Sequence, residues 1–392
     1  MGKEKPFMDI QKIRAAIPVL SNCNYLNTGT AGPLPQKTLD ALQAGIEEEG
    51  QSGRIKPDGF IMLKERLANL RARLALCLNV QKDELALTHH TTEGMNIVLW
   101  GFPWQEGDEI ITTDLEHIGG LAPLYTLHHR KGVVIRMLPV SQCADEEAIL
   151  TAFKRSITSK TRLIALSHLA YSTGTLLPLQ AMIALAHECG IPVLADGAQT
   201  VGAISLDLKA LDVDFYSFPG QKWLLGPEGV GGLYIRNDWI ARLEPTFTGF
   251  FSLDLTTYNA HDPHSFALTP GAKRFEVGSV FRPGIAALEA SLGWLMDDVG
   301  LDFIHKRHLQ LASLAREKLA AVAGVKVITP SFHGGLVNFY TPADPLQIVA
   351  ALADKNIFIR SIPDNGSLRF SCGFFNTAEE IEQAISVVQH VL

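Results

Sequence analysis

A single lysine interrupts an apolar, glycine-rich run, "YSFPGQKWLLGPEGVGGLYI", at residues 216–235. Lys222 follows a strand-like segment, adjoins Trp223 and is trailed by Leu224, Leu225, Gly226 and Pro227. Burial lowers a lysine's pKa and frees its amine to act as nucleophile or base. Asp196 ends the apolar run "IPVLAD", and Gln199 follows three residues later. In an open parallel sheet, ligands sit outside the carboxyl ends of the strands, where such a carboxylate is well placed for chemistry. In "THHTTEGMN" a strand gives way to a helix through Thr91 and Thr92. The free N–H groups and positive dipole of a helix start suit a phosphate. His117, in "TDLEHIGG", lies just past another strand end.

An anion cradle, a strand-end carboxylate, an imidazole and a lysine in a dry turn together match the needs of pyridoxal 5′-phosphate (PLP). Lysine forms a Schiff base with the aldehyde of PLP, and an acidic residue pairs with its pyridinium nitrogen. Taken singly, each residue has a plainer reading. Asp196, Thr91 and Thr92 are potential helix caps. His117 could be a loop histidine and Arg369 a strand-edge surface residue. The pairs His89–His90, Glu116–His117 and His261–His264 give no recognisable zinc spacing, so no metal is expected. The "GPEGVGG" glycines follow the lysine instead of joining a strand to a helix, so they read as a tight turn.

The elements that must position these groups alternate. Between about residues 85 and 235, runs such as "EIITTD", "RLIALSH", "IPVLAD" and "VDFYSF" are separated by helical stretches at 92–101, 118–130, 144–155 and 178–190. This predicts an α/β fold with a mostly parallel sheet and helices on both faces. "VDFYSF" and "VGGLYI" have no helix between them and are expected to pair antiparallel. Residues 237–283 look irregular. A long helix is expected to start after Pro283 and run to about 320, with a break near Gly300. Strands are expected at 325–328, 335–340, 357–360 and 367–371, with helices at 345–354 and at the C-terminus. Thr377 and Glu380 form a capping box for the last helix. The expected division is an N-terminal arm (1–25), a large PLP-binding domain (26–283) and a smaller α+β C-terminal domain (284–392).

Length, composition and charge fit this picture. The 392 residues are 47% hydrophobic with a net charge of −7, which argues against a nucleic-acid or anionic-membrane partner. No run is long enough to span a bilayer, and five scattered cysteines without a CxxC fit a reduced, cytoplasmic protein.

An ordered set of stretches resembles the class V aminotransferase family of fold-type I PLP-dependent enzymes. That family includes cysteine desulfurases, selenocysteine lyases and isopenicillin N epimerases. The stretches are "NYLNTGTAGPLP", "TTEGMNIVLWG", "EGDEIITTDLEH", "SHLAYSTGTLLPL", "DGAQTVGAISLDLKALDVDFYSF", "GQKWLLGPEGVGGLYI", "KRFEVGS" and "LRFSCGFFNTAEEI". "TTEGMNIVLWG" and "KRFEVGS" look most like the cysteine/cystine C–S lyase branch. The resemblance implies Lys222 as the Schiff-base lysine, Asp196 as the pyridinium partner and His117 stacked on the ring. It implies Gln199 at the phenolic oxygen, and Thr91 and Thr92 at the phosphate. It implies Ser279 reaching the neighbouring subunit's phosphate in a homodimer. Arg369 would clamp the substrate carboxylate, with Arg360 nearby. The chain departs from the family at Pro219, Gln221 and Tyr171, where many relatives have Ser or Thr, His, and Asn respectively. Gln221 could still donate to the phosphate through its amide.

A desulfurase needs an acceptor cysteine on a mobile segment after the arginine matching Arg360. Here that segment, "SIPDNGSL" at 361–368, is short and lacks one. If 367–371 is a strand, Cys372 points away from the face that carries Arg369 and Ser371. The expected reaction is therefore β-elimination from cysteine, cystine or a related amino acid, giving sulfide or persulfide with pyruvate and ammonia. Transamination, desulfuration or epimerisation is the alternative, and a non-catalytic dimeric scaffold the reading from another class.

Overall fold

Seven short strands rich in apolar and β-branched residues form the central sheet. They are β1 (Leu85–Thr88), β2 (Glu109–Thr113), β3 (Val134–Leu138), β4 (Thr161–Ser167), β5 (Val193–Asp196), β6 (Phe215–Pro219) and β7 (Gly231–Ile235). The computed structural model describes residues 9–54, 59–262 and 264–392. The strand order is β1-β7-β6-β5-β4-β2-β3. All neighbours run parallel except β7, which is antiparallel to both β1 and β6. The expected parallel sheet and the antiparallel β6–β7 pair are both present.

The sheet separates two apolar layers. Ile164, Leu166, Val193 and Ala195 face one of them, and Leu163, Ala165 and Leu194 face the other. Alternation along β4 and β5 thus buries both faces, as a sheet covered by helices on each side requires. The helices α1 (Thr91–Gly101) and α2 (Ile118–Lys131) follow β1 and β2 directly, so their first turns lie at the carboxyl edge of the sheet.

A second sheet gathers β8 (Lys326–Val327), β9 (Leu336–Tyr340), β10 (Arg360–Ile362) and β11 (Ser367–Ser371) in the antiparallel order β8-β9-β11-β10. It has its own apolar cluster, which includes Val337, Phe339, Leu368, Phe370 and Cys372. The chain's early segment joins this sheet's side: Asn24–Tyr25 pairs parallel with Ile357–Phe358, and Asn27 bridges to Ser371. Residues 1–8 of the expected N-terminal arm lie outside the described residues. No helix among the described residues is long and apolar enough to cross a membrane.

Three expectations need correction. The long helix begins at Arg282, not after Pro283, because proline is tolerated in the first turn, where its missing N–H has no acceptor. It passes through a π-helical turn, Trp294–Val299, before breaking at Gly300 (φ 95°) and resuming as Leu301–Ala320. Residues 237–283 hold a helical turn (Asn237–Ile240) and a two-stranded ribbon pairing Leu253–Asp254 with Ala267–Leu268. The strand expected over 357–360 is split, because Ile357–Phe358 pairs with the early segment while β10 pairs with β11.

The capping box of the last helix, α3 (Ala378–Val391), is present as expected. The Thr377 hydroxyl accepts from the Glu380 amide at 3.3 Å, and the Glu380 carboxylate accepts from the Thr377 amide at 3.1 Å. Glu380 also pairs with Arg14 at 2.7 Å. Thr377→Ala should lower the unfolding free energy by about 1 kcal/mol, read from urea denaturation.

Candidate active site

The carboxyl ends of the parallel strands converge on one cavity of about 260 Å³. In the sheet register Ser167 of β4, Asp196 of β5 and Ser217 of β6 lie side by side. Asp196 is 7% exposed, and its Oδ1 accepts from the Ala198 amide at 2.8 Å. Burial pushes its pKa up, while Lys222 and the Ala198 hydrogen bond pull it down.

Lys222 lines the same cavity from the turn after β6. That turn is held by the Gly226 amide donating to Gly220 O at 2.9 Å. It places Leu225 at φ 51°, a left-handed conformation that a branched side chain rarely adopts. The early segment closes over the turn: the Gly32 amide donates to Gln221 O at 2.7 Å, and a Cβ on Gly32 would stand 2.1 Å from the Lys222 carbonyl oxygen. Burial lowers the Lys222 pKa to about 8, Asp196 opposes the shift, and Arg369 and Arg360 add to it. Behind the lysine, Trp223 Nε1 donates to Gln199 Oε1 at 2.9 Å, and Gln199 Nε2 donates to Gly29 O at 2.8 Å.

His90, not Thr91 or Thr92, caps α1: its Nδ1 accepts from the Glu93 amide at 3.1 Å. The two threonines are the first helical residues and line the cavity. As at any helix start, the first-turn amides have no intrahelical acceptor. His117 caps α2 through Nδ1, which accepts from the Gly119 amide at 3.0 Å. It lies at the cavity mouth, its ring edge-on to Tyr171 with centroids 4.9 Å apart. Partial burial, then the charges of Lys222 and Arg360, lower its pKa. A Cβ on Gly119 would stand 2.7 Å from Thr92 Oγ1, so this glycine lets the two helix starts approach.

Arg369 is 1% exposed. Its Nη2 and Arg360 Nη1 both donate to Thr30 Oγ1, at 2.9 and 3.2 Å. Arg369 Nη1 also donates to Tyr171 O at 3.3 Å, and its Nε is buried without a partner. The two arginines are directly opposed across the β10–β11 hairpin, and no carboxylate pairs with either among the described residues. Burial, then Arg360, lowers the Arg369 pKa to about 9.

Nine of the ten expected site residues therefore surround one cavity. Ser279 is exposed and does not line it within a single chain. The side-chain oxygen of Gln221 is buried without a partner at the cavity wall. Two contributors were missed. Thr30 lies in a stretch quoted only for its resemblance. Glu116 was weighed only as a metal ligand, yet its carboxylate accepts from the Thr113 hydroxyl at 2.5 Å and from the Ser167 amide at 2.9 Å. It thus ties the ends of β2 and β4 beside His117, and burial raises its pKa to about 7. Thr30 meets arginines more than 300 residues away and Glu116 reaches Ser167 51 residues on, links for which spacing gives no signal.

The aminotransferase class-V family model matches residues 24–384, and the chain belongs to that family. A cysteine desulfurase of Escherichia coli O127:H6 is 30% identical over 408 residues, covering 97% of this chain and 98% of that protein. The solved cystine C–S lyase C-DES, in complex with its reaction product cysteine persulfide, is 33% identical with a TM-score of 0.88 and covers 95% of this chain and 98% of its own. A lysine-to-alanine variant of C-DES, with glycine covalently linked to its PLP cofactor, is 32% identical with a TM-score of 0.89 at the same coverages.

The Lys222 shift has a consequence for stability without cofactor. The folded pKa of about 8 lies below the ordinary 10.5, so between these values the unfolded chain binds more protons and stability rises with pH. Lys222→Met should be the more heat-stable apoprotein at pH 7, and its advantage should shrink as pH is raised from 8 towards 10.5. Thermal unfolding across that range checks this.

Proposed function

We propose that this protein is a PLP-dependent C–S lyase acting on cysteine, cystine or a related sulfur amino acid by β-elimination. The observation that carries the choice of reaction is the β10–β11 hairpin. Its tip, residues 363–366, is a tight turn fastened by Asp364, which accepts from the Tyr171 hydroxyl, and by Asn365 Nδ2, which donates to Ser172 O at 2.9 Å. This is the segment that would carry a desulfurase's acceptor cysteine, and it is short, pinned and without one. Cys372 is wholly buried in the apolar cluster with Phe370, its thiol pushed up to about 12 by burial.

The residues present fit PLP. The site combines helix-start amides, hydroxyls, the Gln221 side chain, a buried carboxylate and a lysine of lowered pKa. Thr91, Thr92 and Gln221 would hold the phosphate, with Ser279 supplied by the partner subunit. Gln199 would meet the phenolic oxygen, Asp196 the pyridine nitrogen and His117 the ring face. When bound, PLP supplies the electron sink that makes the substrate's Cα–H acidic.

Arg369, with Arg360 beside it, binds and orients the substrate carboxylate. Lys222 Nζ removes the Cα proton as general base, a role that its lowered pKa favours near neutrality. Asp196 keeps a proton at the pyridine nitrogen. The Cα–H electron pair forms a Cα–Cβ double bond as the Cβ–S bond breaks, and sulfur leaves with the bonding pair. Water then completes the balance. Cystine and water give pyruvate, ammonia and cysteine persulfide, while cysteine and water give pyruvate, ammonia and hydrogen sulfide.

A homodimer agrees with Ser279 not lining the cavity of its own chain and with the exposed aromatic side chains Phe247, Phe250, Phe266 and Phe281. The separate sheets agree with a large and a small domain, but Ile285, Leu288, Leu292, Trp294 and Ile304 pack in the large core, which supports a small domain that begins later than the residue 284 expected from sequence. All five cysteines are free, which supports a cytoplasmic location.

Purified enzyme given cysteine or cystine should release pyruvate, where a desulfurase would release alanine. Cys372→Ser should keep most of the activity. Arg369→Ala should raise KM for the amino acid at least tenfold, far more than Cys372→Ser does. Alanine as the main product, with Cys372→Ser inactive, would replace this reading by desulfuration.

A further inference from the structure

Thr30 lies in a turn by which the early part of the chain closes the site. A threonine hydroxyl has one proton and two lone pairs, and here all of them are engaged. The proton goes to Asn27 Oδ1 at 2.7 Å. The lone pairs accept from Arg369 Nη2 at 2.9 Å and from Arg360 Nη1 at 3.2 Å. With its proton held by Asn27, the hydroxyl has none to offer a substrate, so it acts on a ligand only through the two arginines.

Those arginines need holding. They are direct partners across the β10–β11 pair, and like charges so placed repel. The charge of Arg360 is one cause of the lowered Arg369 pKa. A common acceptor between them offsets the repulsion and fixes how far apart the two guanidinium groups stand. That acceptor is itself fixed. Asn27 is bridged to Ser371, which shares β11 with Arg369, and the Thr30 amide donates to Asn27 O at 3.0 Å. Gln199 Nε2 donates to Gly29 O at 2.8 Å, and the Tyr25 hydroxyl donates to Ala31 O at 2.7 Å. Groups held in place beforehand lose little freedom when a ligand arrives.

We propose that Thr30 is a positioning residue for substrate recognition: by holding Arg360 and Arg369 at one separation, it directs both guanidinium groups onto a single carboxylate of the amino acid. This rests on the arginine clamp of the lyase reading and adds the residue that sets the clamp.

The test measures binding and turnover separately on the holoenzyme. L-Alanine and ethylamine differ only in the carboxylate, and neither has sulfur to lose. Binding of each is read from the absorbance of bound PLP. Thr30→Val keeps the shape of the side chain and removes the acceptor. It should weaken L-alanine binding about tenfold and ethylamine binding less than about twofold. Thr30→Ser, which keeps the hydroxyl, should bind both within about threefold of the unaltered enzyme. With cystine, Thr30→Val should raise KM about tenfold and change kcat less than about threefold. An equal loss for L-alanine and ethylamine, as a general defect in folding or cofactor binding would give, overturns the proposal, and so does no loss. Absence of pyruvate from cystine with the unaltered enzyme overturns the lyase reading, and the comparison of L-alanine with ethylamine then still decides the role of Thr30.

Discussion

Three cationic side chains, Lys222, Arg360 and Arg369, face one cavity whose buried carboxylate is Asp196. Unneutralised positive charge in a partly dry space is costly, and that cost bears on everything around it. It lowers the lysine and Arg369 pKa values together. It leaves an arginine N–H without an acceptor and makes one threonine hydroxyl serve two guanidinium groups. The cavity is complementary to anions that the chain does not itself supply. A phosphate at the helix starts and a carboxylate at the arginines would complete its electrostatics.

The scaffold meets this constraint by bringing distant backbone close. Parallel strands place Ser167, Asp196 and Ser217 in one row, and the antiparallel β6–β7 pair sets the lysine turn beside them. Glycines make the closest approaches possible, at Gly32 over the lysine carbonyl and at Gly119 between the two helix starts. The second sheet adds the arginines on a hairpin whose tip is bonded to Tyr171 and Ser172. Where a desulfurase requires a segment free to deliver a thiol, this chain has a fixed wall.

Much of this was legible from residue type and local period. Strand ends are marked by a polar residue after an apolar run, which is why Asp196 and His117 could be placed. Strand parity separated Arg369 from Cys372, since alternate side chains must face opposite sides. The Thr377–Glu380 capping box was readable because all of its partners lie within four residues. Less legible were relations between remote segments. Thr30 meets Arg360 across 330 residues and Arg369 across 339, and nothing in "LNTGTAG" encodes either partner. The cap of α1 is His90 and not a threonine, its imidazole nitrogen accepting from the Glu93 amide, and histidine is not among the usual capping residues. A further cavity, of about 440 Å³, is lined by Asp114, Ser172, Lys326 and Asp364, so no local pattern could announce it.

The contact of Thr30 with both arginines also bears on how the protein comes into being. During synthesis the central sheet, complete at Ile235, leaves the ribosome well before β10 and β11 exist. Domains generally fold as units with the N-terminal one first, so the lysine turn and the helix starts can assemble while the arginine hairpin is still untranslated. Asn24, Tyr25 and Asn27 must then wait for the last part of the chain, because their sheet partners are Ile357, Phe358 and Ser371. The nascent chain would hold a phosphate cradle before it holds a substrate clamp, and closure of the site over Thr30 becomes a late event in biogenesis.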